Sequence, residues 1–254
     1  MNLQLININI RFDNPEDPWP WHERLKVLSN RIHQMSPHII ATQEGRKPQL
    51  LQLAEELKPK YTLVDHHRSW HDTKMFPCLF FNQDYLELVQ SYDRWLSKTP
   101  EIPHSKDFGS YWPKLAVLAS FKHRQTDTPL NVASFHLDNA SAEARPMQAN
   151  VLIEQVKSCL PRGELFLLGD ANDLDSSPTI DVFRKHSFNE PWQYKNAPST
   201  FHGFDSSKPG GRIDYIFYQT HQASLTKFNT DDATPPYYSD HVIVEATFNL
   251  KKSR

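Results

Sequence analysis

Apolar and polar positions alternate from Leu3 to Ile10, with Leu3, Leu5, Asn7 and Asn9 on one side and Gln4, Ile6, Ile8 and Ile10 on the other. That period-2 repeat predicts a strand ending at Arg11. A proline-rich loop follows over Asn14–Pro20. From Trp21 to Met35 the spacing becomes helical, with Leu25, Leu28, Ile32 and Met35 on one face. His38–Gln43 reads as a buried strand and Pro48–Leu57 as a second helix. Tyr61–Val64, Cys78–Phe81 and Leu86–Gln90 are short strands, and Lys98–Trp112 is a long loop of little periodicity, a type that is often functional. Leu115–Phe121 and Leu130–Leu137 read as neighbouring strands, and Ala142–Leu160 as a helix. Glu164–Leu168 is a strand, Pro178–Lys185 a helix with proline in its first turn, and Ile213–Tyr218 and Val242–Phe248 close the sheets. This mixture predicts a two-sheet α/β sandwich flanked by helices, in a single domain over residues 1–254.

Composition narrows the function classes. A formal net charge of −2 is a poor match for sequence-independent duplex binding, which relies on many Lys and Arg contacts to phosphates. Cys78 and Cys159 are too few and too far apart for a disulfide scaffold or a zinc cluster, and are expected as buried free thiols. No signal peptide is evident, and no run of about 18 apolar residues could span a bilayer. The expectation is a cytoplasmic monomer.

Candidate chemistry collects where apolar runs end. Asn9 closes the first strand, and Glu44 follows the second as an oxygen ligand suited to a hard divalent cation, or as an acid at a helix start. In Gly169-Asp170-Ala171-Asn172, Gly169 is expected to turn the chain sharply after Leu168, with Asp170 and Asn172 facing one cleft. Asp170 could activate a water and Asn172 donate to a phosphate oxygen; the plainer reading is an Asx turn. Asp214 and His241 suggest a carboxylate–imidazole pair, with Asp240 a further metal-side carboxylate. His136, in Phe-His-Leu-Asp ending at Asp138, supplies a second imidazole.

Taken in order, Asn9-Ile10-Arg11-Phe12-Asp13-Asn14-Pro15, Gln43-Glu44, His136-Leu137-Asp138, Gly169-Asp170-Ala171-Asn172, Thr200-Phe201-His202-Gly203-Phe204, Arg212-Ile213-Asp214-Tyr215-Ile216 and Ser239-Asp240-His241 resemble the motif set of the endonuclease/exonuclease/phosphatase superfamily. The resemblance spans almost the whole chain and implies a four-layer α/β/β/α sandwich with its site at one end of the paired sheets. It further implies a Mg²⁺ or Mn²⁺ ion held mainly by Glu44, helped by Asn9 and Asp240. Asp170 would activate the attacking water, Asn172 and His136 would hold the scissile phosphate, and His241 with Asp214 would stabilise the transition state or protonate the leaving oxygen. Arg11 would be an extra phosphate contact. The chain departs from the pattern in two places. Lys74-Met75-Phe76-Pro77 stands where the related bacterial subgroup carries a Gly-Glu whose carboxylate supports the first histidine, and Lys114 replaces an arginine. Trp70, His71 and Trp112 are expected to shape the pocket instead, together with the Trp19–Trp21 entry.

The leading expectation is a metal-dependent hydrolase of a small or lipid-derived phosphate ester, monoester or diester. A nuclease is the alternative, favoured by the superfamily and by Arg46-Lys47 and Lys106, and disfavoured by the acidic balance. A catalytically inactive binding module is the third reading. Salt-dependent DNA binding separates the first two, and EDTA-sensitive turnover removes the third.

Overall fold

In the computed structural model, residues 2–66, 68–192, 198–232 and 234–251 are described. Strand parity builds the architecture. In β1 (Asn2–Asn9), Leu3 and Leu5 face one apolar cluster, while Ile6 and Ile8 face another, which continues to Ile10. Both faces are therefore covered, as expected of a central strand. β1 pairs in parallel with β2 (Ile39–Arg46) and antiparallel with β11 (Val244–Leu250). With β3 (Tyr61–Leu63), β4 (Met75–Asn82) and β10 (Ala223–Thr230) they form a six-stranded sheet, ordered β10-β11-β1-β2-β4-β3.

The second sheet runs β5-β6-β7-β8-β9. Its strands are β5 (Leu86–Trp95), β6 (Leu115–His123), β7 (Pro129–His136), β8 (Glu164–Asp170) and β9 (Asp214–Gln219). Helices α1 (Trp21–Met35) and α2 (Lys47–Glu56) cover the first sheet; α3 (Ala144–Cys159) and α4 (Pro178–Lys185) cover the second. Three apolar clusters follow, one under each helix layer and one between the sheets. The fold is a four-layer α/β/β/α sandwich.

Several elements differ from the sequence expectation. β2, β4 and β5 run longer, and β10 is an additional strand. Its alternating exposure, and a register shift between Leu225 and Lys227, blur the periodicity of this edge strand. Gly169 makes no turn, because β8 continues through Asp170. A Cβ at Gly169 would meet the Phe135 carbonyl oxygen at 2.3 Å and the Phe135 ring at 2.6 Å. Glycine is there to let β7 and its phenylalanine close in. Gly169→Ala is expected to destabilise the protein by about 3 kcal/mol, a melting shift of roughly 6–12 °C. A shift under 2 °C in scanning calorimetry would refute that packing argument. Trp21 belongs to the core and donates to Gln52, so it does not line the entry. Cys78 is buried, whereas Cys159 is only partly so.

The same parity places the site. On the inter-sheet face Leu3 and Leu5 give way to Asn7 and Asn9, Ile39 and Ala41 to Gln43, and Leu130 and Val132 to Ser134 and His136. Phe166 and Leu168 give way to Asp170. Register aligns His136 with Asp170 and Asp170 with Asp214 across three adjacent strands. One face thus changes from apolar to polar along its length. Beneath the site, Gln43 donates to Asn7 (2.9 Å) and to Ser134 (3.2 Å), tying the two sheets together.

Candidate active site

Asp170 is the centre of the arrangement. Its Oδ2 accepts from Asn9 Nδ2 at 3.0 Å and lies 3.7 Å from His136 Nε2 and 4.0 Å from His241 Nε2. Its Oδ1 accepts the Asn172 backbone N–H at 2.8 Å. The Asx turn is therefore real, and it coexists with a carboxylate aimed into the site. Burial, and next the charge of Asp214, push the Asp170 carboxyl up to about 7, against the pull of His241 and the hydrogen bonds from Asn9 and Asn172.

His241 Nδ1 and Asp214 Oδ2 are 2.8 Å apart, the pair expected from sequence. Burial opposes the imidazolium, but Asp214, Asp170 and Asp240 outweigh it and hold the ring at about 10. His241 is thus a cation at neutral pH. In Asp214→Asn the largest favourable partner is gone, and the His241 pKa is expected to fall by ~1–3 units in an NMR titration. An unchanged titration would show that the pair does not set it. The segment Thr200–Phe204, which carried no assigned role, braces this corner. Thr200 Oγ1 accepts the N–H groups of Ile213 and Asp214, and the Asp240 carbonyl accepts those of His202 and Gly203. Arg212 ion-pairs with Glu190 and Asp175 just before Asp214.

His136 is buried, and among the described residues its Nε2 has no hydrogen bond; the one carboxylate in ion-pair reach is that of Asp170. Burial, Lys114 and His241 lower its pKa well below the usual histidine range, so the ring is neutral. Asp138 does not face the site. It accepts from Ser110 Oγ and from the N–H groups of Tyr111 (3.0 Å), Ala140 (2.8 Å) and Ser141 (2.7 Å). It fastens the Lys98–Trp112 loop to the end of β7, a function its sequence context did not suggest.

Glu44 occupies a bulge between β2 and β4, with φ of 62°. Its Oε2 receives one long contact, 3.4 Å from Phe12 N–H. Asn9 Oδ1 accepts from Arg11 N–H at 3.0 Å and keeps a second lone pair. Asp240 lies 3.8 Å from Arg11, which also pairs with Asp17 at 3.0 Å. Asn172 and Arg11 share the left-handed backbone of Glu44. Such conformations are costly for ordinary residues and cluster at functional sites. Asn172 spends one amide hydrogen on the Leu137 carbonyl at 3.1 Å.

A cavity of about 400 Å³ opens beside these groups, bordered by Arg11, Glu44, His136, Lys114 and Trp112. Phe12, Arg46, Lys74 and Trp95 also line it, and sequence reasoning gave none of them this place. Trp70 packs edge-on against Phe76 in the helix-side core, and the His71 ring lies against His104; neither borders the cavity.

The four-layer sandwich carries its carboxylate–imidazole cluster at one end of the paired sheets. Residues 6–241 match the Endonuclease/Exonuclease/phosphatase family, and the chain belongs to it. It is similar to an endonuclease/exonuclease/phosphatase from Bacteroides vulgatus (23% identity, 99% of this chain and 100% of that one, TM-score 0.90). It is also similar to mannosyl-6-phosphatase Bt3783 from Bacteroides thetaiotaomicron VPI-5482 (24% identity, 98% and 100%, TM-score 0.85). A third is D. rerio TDP2 complexed with a single-strand DNA product (16% identity, 98% and 99%, TM-score 0.79). No curated protein matches the sequence. Among the described residues no helix is long and apolar enough to cross a membrane.

Proposed function

We propose that this chain is a Mg²⁺- or Mn²⁺-dependent hydrolase that cleaves a small phosphate ester by in-line attack of an activated water. The observation that carries the reading is Asp170, a buried carboxylate held near neutrality within 4.0 Å of two imidazoles of opposite character. A base with a pKa near the working pH is well matched to taking a proton from water. Neutral His136 and the free amide hydrogen of Asn172 donate to the phosphate oxygens. Cationic His241, fixed by Asp214, stabilises the charge that develops on phosphorus or gives its Nε2 proton to the leaving oxygen. Arg11 and Lys114 add positive charge on the cavity side.

The donor set fits a hard cation. Glu44 offers a nearly unsatisfied carboxylate, Asn9 a carbonyl lone pair and Asp240 a carboxylate, all oxygen. Asp170, Asp214 and His241 also bring one ligand atom each within 4.8 Å. There, however, the imidazolium already supplies the positive charge, so Glu44, Asn9 and Asp240 are the better holders. A bound Mg²⁺ or Mn²⁺ would neutralise phosphate charge and lower the pKa of a coordinated water.

The test is Mn²⁺-stimulated hydrolysis of bis-p-nitrophenyl phosphate and p-nitrophenyl phosphate, with EDTA and His241→Ala controls. EDTA-sensitive cleavage lost in the variant supports the reading, and the ratio of rates distinguishes diester from monoester. Turnover indifferent to both controls would overturn it. DNA cleavage faster than either ester would favour a nuclease.

A further inference from the structure

The cavity holds more positive charge than one phosphate requires. Arginines elsewhere are matched: Arg31 with Asp231, Arg68 with Asp93, Arg145 with Asp173 and Arg212 with Glu190. Arg46, Lys74 and Lys114 all border the cavity, and among the described residues none of them has a carboxylate within ion-pair distance. The Arg46 Nε is buried without a partner, and its Nη1 reaches only the Asp13 carbonyl at 3.5 Å. Lys114 is 7% exposed, and its ammonium makes no hydrogen bond or ion pair among the described residues, although Glu44, Asp138 and Asp170 lie near enough to act on its charge. The acid nearest in sequence to Lys74, Asp72, is directed to Lys47 at 3.8 Å. Like charges sharing a small cavity repel one another and lose hydration, and Glu44 is the one carboxylate on its lining among the described residues, so an anion entering the cavity is favoured. The walls between them are aromatic. The Arg46 guanidinium lies 4.8 Å from the Phe12 ring centre, the Lys74 ammonium lies 5.9 Å from that of Trp112, and Trp95 completes the lining.

We propose that the substrate carries a second anionic group, phosphate or carboxylate, on a small carbon skeleton, and that Arg46 and Lys74 bind it while Lys114 and Arg11 face the scissile phosphate. The proposal rests on the phosphate-ester reading and names the substrate class within it. A single-anion ester leaves two cations unmatched, whereas a double-anion ester satisfies the whole cavity with charge-assisted hydrogen bonds.

Binding without turnover tests it. Asp170→Asn protein in Mg²⁺ is titrated by calorimetry with two pairs of probes: fructose 1,6-bisphosphate against fructose 6-phosphate, and 6-phosphogluconate against glucose 6-phosphate. At least one double-anion probe is expected to bind about tenfold or more tightly than its partner. The first pair reports a second phosphate and the second a carboxylate. Arg46→Gln with Lys74→Gln should bring that ratio to about twofold or less, with the fold checked by melting. Ratios below twofold in both pairs, no binding of any probe, or a ratio that survives the double substitution would each overturn the proposal. Wild-type turnover of p-nitrophenyl phosphate, run in parallel, separates the two readings. EDTA-sensitive turnover with equal binding of both probe types removes only the second-anion site. A preserved binding ratio, with wild-type turnover of neither p-nitrophenyl phosphate nor the tighter-binding probe, removes the hydrolase.

Discussion

Asp170→Asn is expected to lower kcat by about 10³-fold while the melting temperature stays within a few degrees of wild type. Asparagine keeps the shape and one oxygen, so the Asn172 N–H retains its acceptor, while the position that accepts from Asn9 Nδ2 becomes an NH2 donor. The charge is lost, and with it the capacity to take a proton. The substitution also removes a group whose ionisation opposes folding. The Asp170 carboxyl sits at about 7 in the fold, against an ordinary value near 4, so the folded state binds its proton more tightly than the unfolded chain. The Asp170 contribution to stability therefore falls as pH rises from about 4 to about 7 and is flat above that. Measured in EDTA, Asp170→Asn should gain on wild type over that window. Wild-type activity should rise over it, because the base works only when ionised. A variant that keeps more than a tenth of wild-type kcat would refute the assignment.

Glu44→Gln should weaken Mn²⁺ binding by at least about a hundredfold in calorimetry, with little loss of stability. The amide retains one oxygen but not the negative charge that a hard cation selects. The backbone supplies a second, independent readout. At φ of 62° a side chain is strained by ~1–2 kcal/mol, and glycine is not. Glu44→Gly should therefore raise metal-free stability by ~1 kcal/mol while abolishing tight Mn²⁺ binding. Undiminished Mn²⁺ affinity in both variants would place the metal elsewhere. The combination would mean that the fold accepts local strain in order to present this carboxylate.

The sequence carried the fold well where the periodicity was strong. Trp21–Met35 is a helix with the expected bounds, and the covered strands were visible as apolar runs. β10 was not, because an edge strand needs only one apolar face and its bulge breaks even that rhythm. In the site, Asp214 beside His241 was legible because strand ends announce themselves. The position of Asp138 was not, since a carboxylate after a strand looks the same whether it meets a ligand or the donors of a loop and of its own turn. Arg46 and Lys74 were hidden for a different reason. Only the tertiary fold shows that a cation at the end of β2 or just before β4 has no carboxylate in ion-pair reach among the described residues. Gly169 was noticed for the wrong property: its value is the absent Cβ against Phe135, not freedom to turn.

The Asp138 clamp separates two tasks. Groups argued to act on the phosphate stand on sheet ends, whose positions are set by the core. Trp112 stands on a loop joined to the end of β7 through this carboxylate, which accepts from Ser110 and Tyr111 of the loop, with Gln148 also bonded to Ser110 and to the Asp138 N–H. A chimera could exchange residues 98–112 for a loop of another shape, keep the serine that meets Asp138, and alter which ester enters without disturbing the chemistry behind it. Selectivity in this fold would then be free to drift between descendants while the reaction stays the same.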